Sequence, residues 1–128
     1  MKTSTVNLWI EPRNQDYLID FNNDGLQDIY LNNDFGSPDF LYLNNGDKTF
    51  REIAKKATNH TAMYSMGSDA ADINDDGLMD FIQLDMNPQD NYRSKANMAS
   101  MNIPLFWAQV DNGLHYQYMH NVLQLNSG

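Results

Sequence analysis

A chain of 128 residues, 41% of them hydrophobic, is long enough for one domain with a core, and it is too apolar for a disordered acidic tail. Acidic residues outnumber basic ones 17 to 8, and the formal charge of −9 argues against nucleic acid or an anionic membrane surface as a partner. The absence of cysteine excludes a disulfide framework and a thiolate site, but it leaves the cellular compartment open.

The start of the chain carries no recognisable targeting segment. Its first ten residues contain one lysine and no apolar stretch long enough for a signal peptide, and no later segment approaches a transmembrane span. We therefore expect that any secretion signal has been removed or lies on a part of the protein outside this chain.

The pattern D-x-N-x-D-G-L-x-D occurs twice, at residues 20–28 and 72–80. Side-chain oxygens at positions 1, 3 and 5 of a tight loop can converge on one point, and the glycine at position 6 provides the positive φ that reverses the chain. The carbonyl of position 7 and the aspartate at position 9 would complete the shell, so the pattern predicts two Ca²⁺ sites. The predicted ligands are Asp20, Asn22, Asp24, Leu26 and Asp28 in the first loop and Asp72, Asn74, Asp76, Leu78 and Asp80 in the second.

Spacing distinguishes these loops from other calcium motifs. An EF-hand requires a bidentate glutamate at position 12 and a helix on each side, but position 12 is Leu31 in the first loop and Gln83 in the second. The segments that follow, residues 29–31 and 81–84, are rich in branched and aromatic residues, so we expect the loops to join strands. Similar runs also form ordinary turns without metal, but two copies with every oxygen position kept favour calcium.

The acidic charge is concentrated in these loops. Seven of the 17 acids lie there, and two bound Ca²⁺ ions would bring the formal charge from −9 to −5. Three carboxylates and one asparagine per site predict weak binding, with a dissociation constant on the order of 10⁻⁴ to 10⁻³ M, as in extracellular modules. We therefore expect an extracellular or cell-surface location.

A repeat of blade size extends beyond the loops. They start at residues 20 and 72 and are thus 52 residues apart, which is the scale of a four-stranded propeller blade. The apolar/polar alternation of residues 41–46 recurs at 123–128, and residues 45–48 predict a hairpin between two outer strands. Small residues dominate 65–72, as suits an inner propeller strand, whereas residues 13–20 lack that character and indicate a strand only weakly.

The predicted fold is therefore all-β: a partial β-propeller of about two four-stranded antiparallel blades, within one propeller fragment that spans residues 1–128. Blade 1 is predicted at about residues 13–64 and an incomplete blade 2 at about residues 65–128. Two blades cannot close a ring, so we expect unpaired sheet edges that associate with other blades of a longer chain or with neighbouring molecules.

The second repeat contains an insertion. Residues 28 and 41 are 13 positions apart, whereas the matching residues 80 and 123 are 43 apart, which predicts 30 extra residues at about 87–120. This segment, rich in aromatic residues and methionine, could decorate a binding face, but we favour a small satellite core that packs onto the blade. Residues 93–101 could form a short helix.

The chain resembles the FG-GAP/VCBS repeats of integrin-α-like β-propellers. Besides the loops, the phrases at residues 33–36, 41–47, 64–67 and 85–93 resemble the version found in secreted or surface proteins of Bacteroidetes-like bacteria, often joined to an ASPIC/UnbV-type module. The resemblance implies a calcium loop between the first two strands of each blade. One departure is Lys48, which stands where these repeats usually have the second glycine of G-D-G-T-F.

The functional expectation is a calcium-binding module for protein or glycan interaction at the cell surface. The alternative is an accessory or catalytic propeller domain of a polysaccharide-acting enzyme, although no nucleophile motif or phosphate-binding glycine loop is present. Of the three histidines, His115 and His120 are five residues apart with no Cys or Glu at ligand spacing, which argues against a zinc site.

Overall fold

The computed structural model describes residues 16–34, 37–86, 90, 92 and 103–128. These residues form nine strands and two helices. The strands are β1 (Asp16–Ile19), β2 (Asp28–Leu31), β3 (Phe40–Asn44), β4 (Phe50–Glu52), β5 (Thr61–Ala62), β6 (Ser65–Ala71), β7 (Asp80–Asp85), β8 (Gln117–Tyr118) and β9 (Val122–Gln124), and the helices are α1 (Ala54–Ala57) and α2 (Ile103–Asp111). In the described part of the chain, no helix is long and apolar enough to cross a membrane.

The first blade is a four-stranded antiparallel sheet with strand order β1-β2-β3-β4. Each strand pairs with the next in sequence, as expected where short turns connect alternating apolar and polar residues. Strand β1, the inner strand that the sequence indicated only weakly, is present. It pairs with β2 from Asp16 opposite Leu31 to Ile19 opposite Asp28. The predicted all-β architecture of antiparallel sheets is thus confirmed.

The second sheet has three strands within the described residues, in the order β6-β7-β9. Its inner strand β6 contains the small residues that the sequence indicated, and its register shifts between Ser65 and Gly67, as in a β-bulge. The insertion separates β7 from β9, yet Ile82 still lies opposite Leu123. The sheet therefore has the inner three strands of a blade. The exact division at residues 13–64 and 65–128 stays a prediction.

The insertion contributes helix α2 and strand β8, neither of which the sequence patterns predicted. Strand β8 pairs in parallel with β5, which lies in the connection between the two sheets. Phe106 of α2 is buried and its ring lies 5.8 Å from that of Tyr118, which gives the insertion a small aromatic cluster of its own. The short helix expected at residues 93–101 lies outside the described residues.

The two blade sheets pack face to face through a small aromatic core. Tyr30 of β2 and Phe81 of β7 have ring centroids 4.1 Å apart, and Leu41 and Ala54 complete the buried cluster. Such an aromatic pair contributes about 0.5–1.5 kcal/mol beyond the burial of its surface. Successive side chains of a strand point to opposite faces, so Tyr30 and Phe81 each point into the same interface. Their contact holds one sheet against the other.

The outer face of the second sheet has apolar residues at the positions that form this interface in the first sheet. The repeat register maps Tyr30 onto Ile82 and Leu41 onto Leu123, and both of these lie on the face turned away from the first blade. Leu84 and Leu123 are each 50% exposed. Because the equivalent positions of the first blade pack against a neighbouring sheet, this exposed face has the composition of a blade-packing surface.

Candidate metal centres

Both predicted metal loops adopt the same backbone conformation between the first two strands of their sheets. The glycine at position 6 has a positive φ in each, 81° at Gly25 and 83° at Gly77. Position 4 is also left-handed, with φ 57° at Asn23 and 62° at Asp75. Asn and Asp tolerate this region better than other residues that carry a Cβ, so both loops meet the same steric demand with suitable residues.

In the first loop, the side-chain oxygens of positions 1 and 3 converge on one nitrogen. The backbone N–H of Asp24 donates to Asp20 Oδ1 at 3.1 Å and to Asn22 Oδ1 at 3.2 Å. Asp20 Oδ2 accepts from the N–H of Gly25 at 2.8 Å, and Asp24 Oδ1 accepts from the N–H of Leu26 at 2.8 Å. These bonds order the loop around its own acidic side chains.

The second loop reproduces this arrangement bond for bond. The N–H of Asp76 donates to Asp72 Oδ1 at 3.0 Å and to Asn74 Oδ1 at 3.3 Å. Asp72 Oδ2 accepts from Gly77 at 2.8 Å, and Asp76 Oδ1 accepts from Leu78 at 2.9 Å. In both loops the asparagine amide also donates to the position-5 carboxylate at 2.8 Å. The two loops therefore share their hydrogen-bond geometry as well as their sequence pattern.

The aspartate at position 9 has a structural role that the sequence reasoning missed. Asp28 and Asp80 are both 0% exposed. Asp28 accepts from Phe21 N at 2.9 Å and from Asn44 N at 2.8 Å, so it ties the loop to the end of β3. In the second loop, Asp80 accepts from Ile73 N at 3.0 Å and from Asn126 N at 2.8 Å, so it ties that loop to the residues after β9. Each carboxylate thus holds its loop against another segment of the same sheet.

The donor chemistry of each loop fits a hard cation. The side chains at positions 1, 3, 5 and 9 offer only oxygen ligands apart from the asparagine amide nitrogens, and Ca²⁺ takes carboxylate, amide, carbonyl and water oxygens in flexible shells. Within the described residues, no three His, Cys, Asp or Glu side chains cluster as ligands of one ion. The fit therefore rests on mixed oxygen donors, and the calcium sites stay a prediction.

A second polar cluster lies buried between the blades. Asp39, just before β3, is 1% exposed and accepts hydrogen bonds from Tyr30 Oη at 3.3 Å, from the N–H of Asn33 at 2.8 Å and from Gln83 Nε2. Burial raises the pKa of Asp39 to about 6, although the hydrogen bonds from Asn33, Gln83 and Tyr30 oppose the shift. No local pattern in the sequence indicates this carboxyl.

The same cluster connects the end of β2 to the second sheet. Asn32 Oδ1 accepts from Gln83 Nε2 at 3.1 Å and from Ser65 Oγ at 3.0 Å, while Asn32 Nδ2 donates to Ser68 Oγ. Gln83 is fully buried in the middle of β7. Because buried polar groups need partners, this network specifies how the two blades dock. Gln83, between the apolar residues Ile82 and Leu84, is the sequence signal that could have indicated it.

An open cleft of about 440 Å³ lies beside the loops, between the two sheets. Apolar residues of both blades line most of it, including Leu41, Leu43, Phe81 and Leu125, and Lys56 supplies a charge. Among the described residues, its lining includes no carboxylate, no histidine and no part of the insertion.

An antiparallel four-stranded sheet with an Asp-rich loop after its first strand, followed by a second sheet with the same loop, defines a protein built from β-propeller blade repeats. Residues 20–82 match the FG-GAP-like repeat family, from the first predicted ligand of the first loop to the middle of β7. Residues 20–82 therefore form an FG-GAP-like repeat, as the motifs of the chain indicated. No curated protein and no solved structure matches the chain. The finer resemblance to Bacteroidetes surface proteins and ASPIC/UnbV-type modules stays a prediction.

Proposed function

We propose that the chain is a calcium-binding β-propeller repeat module of an extracellular or cell-surface protein, which presents its loops and insertion to a protein or glycan partner. The observation that carries the proposal is the repetition of one loop at two positions with the same oxygens and the same left-handed residues. An ordinary turn needs one or two such side chains, whereas each loop keeps an oxygen at positions 1, 3, 5 and 9.

Bound calcium would supply a double positive charge that offsets the mutual repulsion of the three predicted ligand carboxylates in each loop. The protein's own contribution is to hold those oxygens in place through the loop N–H groups and through Asp28 and Asp80. The half-buried carboxylate of Asp20 and the exposed carboxylate of Asp24 would bind from the solvent side, and water would complete the shell. Because the loop joins the first two strands, binding would stabilise the blade as a whole.

The expected affinity supports an extracellular setting. Sites with few carboxylates and dissociation constants on the order of 10⁻⁴ to 10⁻³ M are occupied only where calcium is plentiful. FG-GAP repeats are typical of extracellular proteins, and the chain contains such a repeat. Both lines lead to the same proposed location.

The partners proposed are of two kinds. Other blades of a longer chain fit the apolar outer face of the second sheet, on which Leu84 and Leu123 are half exposed. A protein or glycan ligand fits the insertion, where Trp107 and Tyr116 are 55% and 43% exposed. Exposed aromatic side chains are enriched at binding surfaces because they bury a large area with little loss of conformational entropy.

Thermal unfolding with Ca²⁺, with Mg²⁺ and with chelator tests the calcium proposal. Millimolar Ca²⁺ should raise Tm, and Mg²⁺ should raise it much less because it holds its water and requires an octahedral shell. A Tm that is the same in Ca²⁺ and in chelator would overturn the proposal.

Single-loop variants then assign the ions to the loops. Asp24→Asn and Asp76→Asn each keep the side-chain shape but remove one charge, so each should halve the Ca²⁺ stoichiometry measured by calorimetry. Asp69→Asn is the matched control, because Asp69 is an exposed acid on β6 outside both loops. Equal effects of all three substitutions would show that net charge, not the loops, governs calcium binding.

A further inference from the structure

Two histidines that are far apart in sequence meet where the insertion returns to the blades. His60 directly precedes β5 and His120 follows β8, and these two strands pair in parallel with Ala62 opposite Tyr118. The imidazole centroids of His60 and His120 lie 5.3 Å apart. The spacing of His115 and His120 argued against zinc in the sequence, but the pair that the fold brings together is a different one.

That separation suits two ligands of one metal ion. Imidazole nitrogen binds Zn²⁺ at about 2.0–2.1 Å, which places each ring centroid about 3.2 Å from the metal, and two ligands at a tetrahedral angle are then about 5 Å apart. The observed 5.3 Å meets this condition. We propose that His60 and His120 form a chelating site for a borderline divalent cation, with Zn²⁺ as its representative.

Backbone hydrogen bonds hold both histidines in place. The carbonyl of His60 accepts from Gln124 Nε2 at 2.7 Å, and the N–H of the next residue, Thr61, donates to Tyr116 O at 3.0 Å. The N–H of His120 donates to Tyr118 O at 3.0 Å. Because the backbone on both sides is already fixed, binding would order little more than the two rings, which lowers its entropic cost.

The carboxylate of Asp85 provides a favourable charge for the pair. Asp85 at the end of β7 interacts electrostatically with His120. Its Oδ2 accepts from Met63 N and Tyr64 N, both at 3.0 Å, whereas its buried Oδ1 has no hydrogen-bond partner among the described residues. The negative charge of this carboxylate favours a cation near His120.

The proposed role of the metal is to stabilise the attachment of the insertion. A metal shared by His60 and His120 would fasten the end of the insertion to the connection that enters the second blade. It would act where the two-residue strands β5 and β8 pair. The site is independent of the calcium loops in both ligands and position.

Aromatic packing around Tyr118 could by itself account for the cluster, because its ring centroid lies 5.3 Å from His60 and 5.8 Å from His120. Zinc titration by calorimetry, with the chain saturated with Ca²⁺, separates the two explanations. One saturable Zn²⁺ site is expected, and His60→Ala or His120→Ala should each weaken it at least ~10-fold. Zinc should also slow hydrogen exchange of the Thr61 and Met63 amides, which bond across the β5–β8 pair.

His115→Ala is the matched control, because His115 bonds to Thr58 Oγ1 at 2.9 Å and lies outside the pair. If His60→Ala does not fold, His120→Gln is the variant to test, because His120 is exposed. The proposal is overturned by no saturable zinc binding in the parent chain, by binding that survives both substitutions, or by an equal loss in His115→Ala. Each of these results is independent of the calcium measurements.

Discussion

Asn23 Nδ2 donates a 3.0 Å hydrogen bond to the carbonyl oxygen of Gly77, so position 4 of the first loop contacts position 6 of the second. The two loops are therefore neighbours at one end of the paired blades. A cation that tightens the second loop acts on a carbonyl to which the first loop is bonded. This contact offers a physical route by which the two predicted sites could influence each other.

Removing this contact should weaken the docking of the two blades. Asn23→Gly deletes the amide but accepts the left-handed φ of 57°, so the lost bond should lower the free energy of unfolding by ~0.5 kcal/mol. Asp75→Gly is the control, because it changes the equivalent left-handed residue of the second loop. Urea unfolding without calcium and in moderate salt measures both. A larger loss for Asp75→Gly would contradict the assigned role of Asn23.

Lys48→Gly should stabilise the first blade. Lys48 has φ 68° in the hairpin between β3 and β4, at the position where related repeats usually carry glycine. A side chain in this region costs about 1–2 kcal/mol, and the greater freedom of glycine in the unfolded chain offsets part of the gain, so we expect a net increase of up to ~1 kcal/mol. Chemical unfolding measures it. Lys48→Ala keeps the Cβ and should give no gain; an equal gain there would mean that charge is responsible.

The residues that the sequence identified and those that it missed differ in the range of their interactions. The loop oxygens, their glycines and the strands after them follow from local spacing, and the structure has the loop backbone expected at Gly25 and Gly77. The environments of Asp39 and His60 depend on contacts with Gln83 and His120, which lie far along the chain. Local patterns carry no information on such pairings. Helix α2 is an intermediate case, since Pro104 in its first turn was a usable start signal.

Asp39 should make stability depend on pH in the opposite sense to a paired surface acid. Its folded pKa of about 6 lies above the ordinary value of 3.8, so the folded chain binds this proton more tightly than the unfolded chain. Its contribution is fully present below about pH 4 and is lost as pH rises through 6, with an upper magnitude of ~3 kcal/mol. Calcium-free urea unfolding from pH 4.5 to 7.5 measures the slope.

Asp39→Asn removes the titrating group and is the comparison for that slope. The difference in stability between parent and variant should change over this pH range, even if the variant is less stable throughout. Asp85 has a pKa raised mainly by burial, so Asp85→Asn provides a second reference with the same expected sign. Parallel pH profiles for the parent chain and Asp39→Asn would show that Asp39 does not titrate as described.

The outer face of the second sheet should make the isolated chain associate as its concentration rises. Leu123 lies opposite Ile82 on that face and is 50% exposed, at the position equivalent to the buried Leu41. Leu123→Lys should reduce association measured by light scattering, because burying an unpaired charge opposes packing of a second sheet. Leu18→Lys, at a residue 58% exposed in the first sheet, compares the other end of the two-blade unit. A monomer at all concentrations would contradict this prediction.

Asp24 and Asp28 should contribute differently to stability, although they belong to the same loop. Asp28→Ala should destabilise the chain without calcium, by ~1–3 kcal/mol, because the N–H groups of Phe21 and Asn44 lose their acceptor at a fully buried carboxylate. Asp24 is exposed, so Asp24→Ala should change calcium-free stability little and act mainly on the response to calcium. Urea unfolding in chelator and in millimolar Ca²⁺ measures both variants. If both lose the same stability in chelator, Asp28 has no bracing role distinct from that of the solvent-facing oxygens.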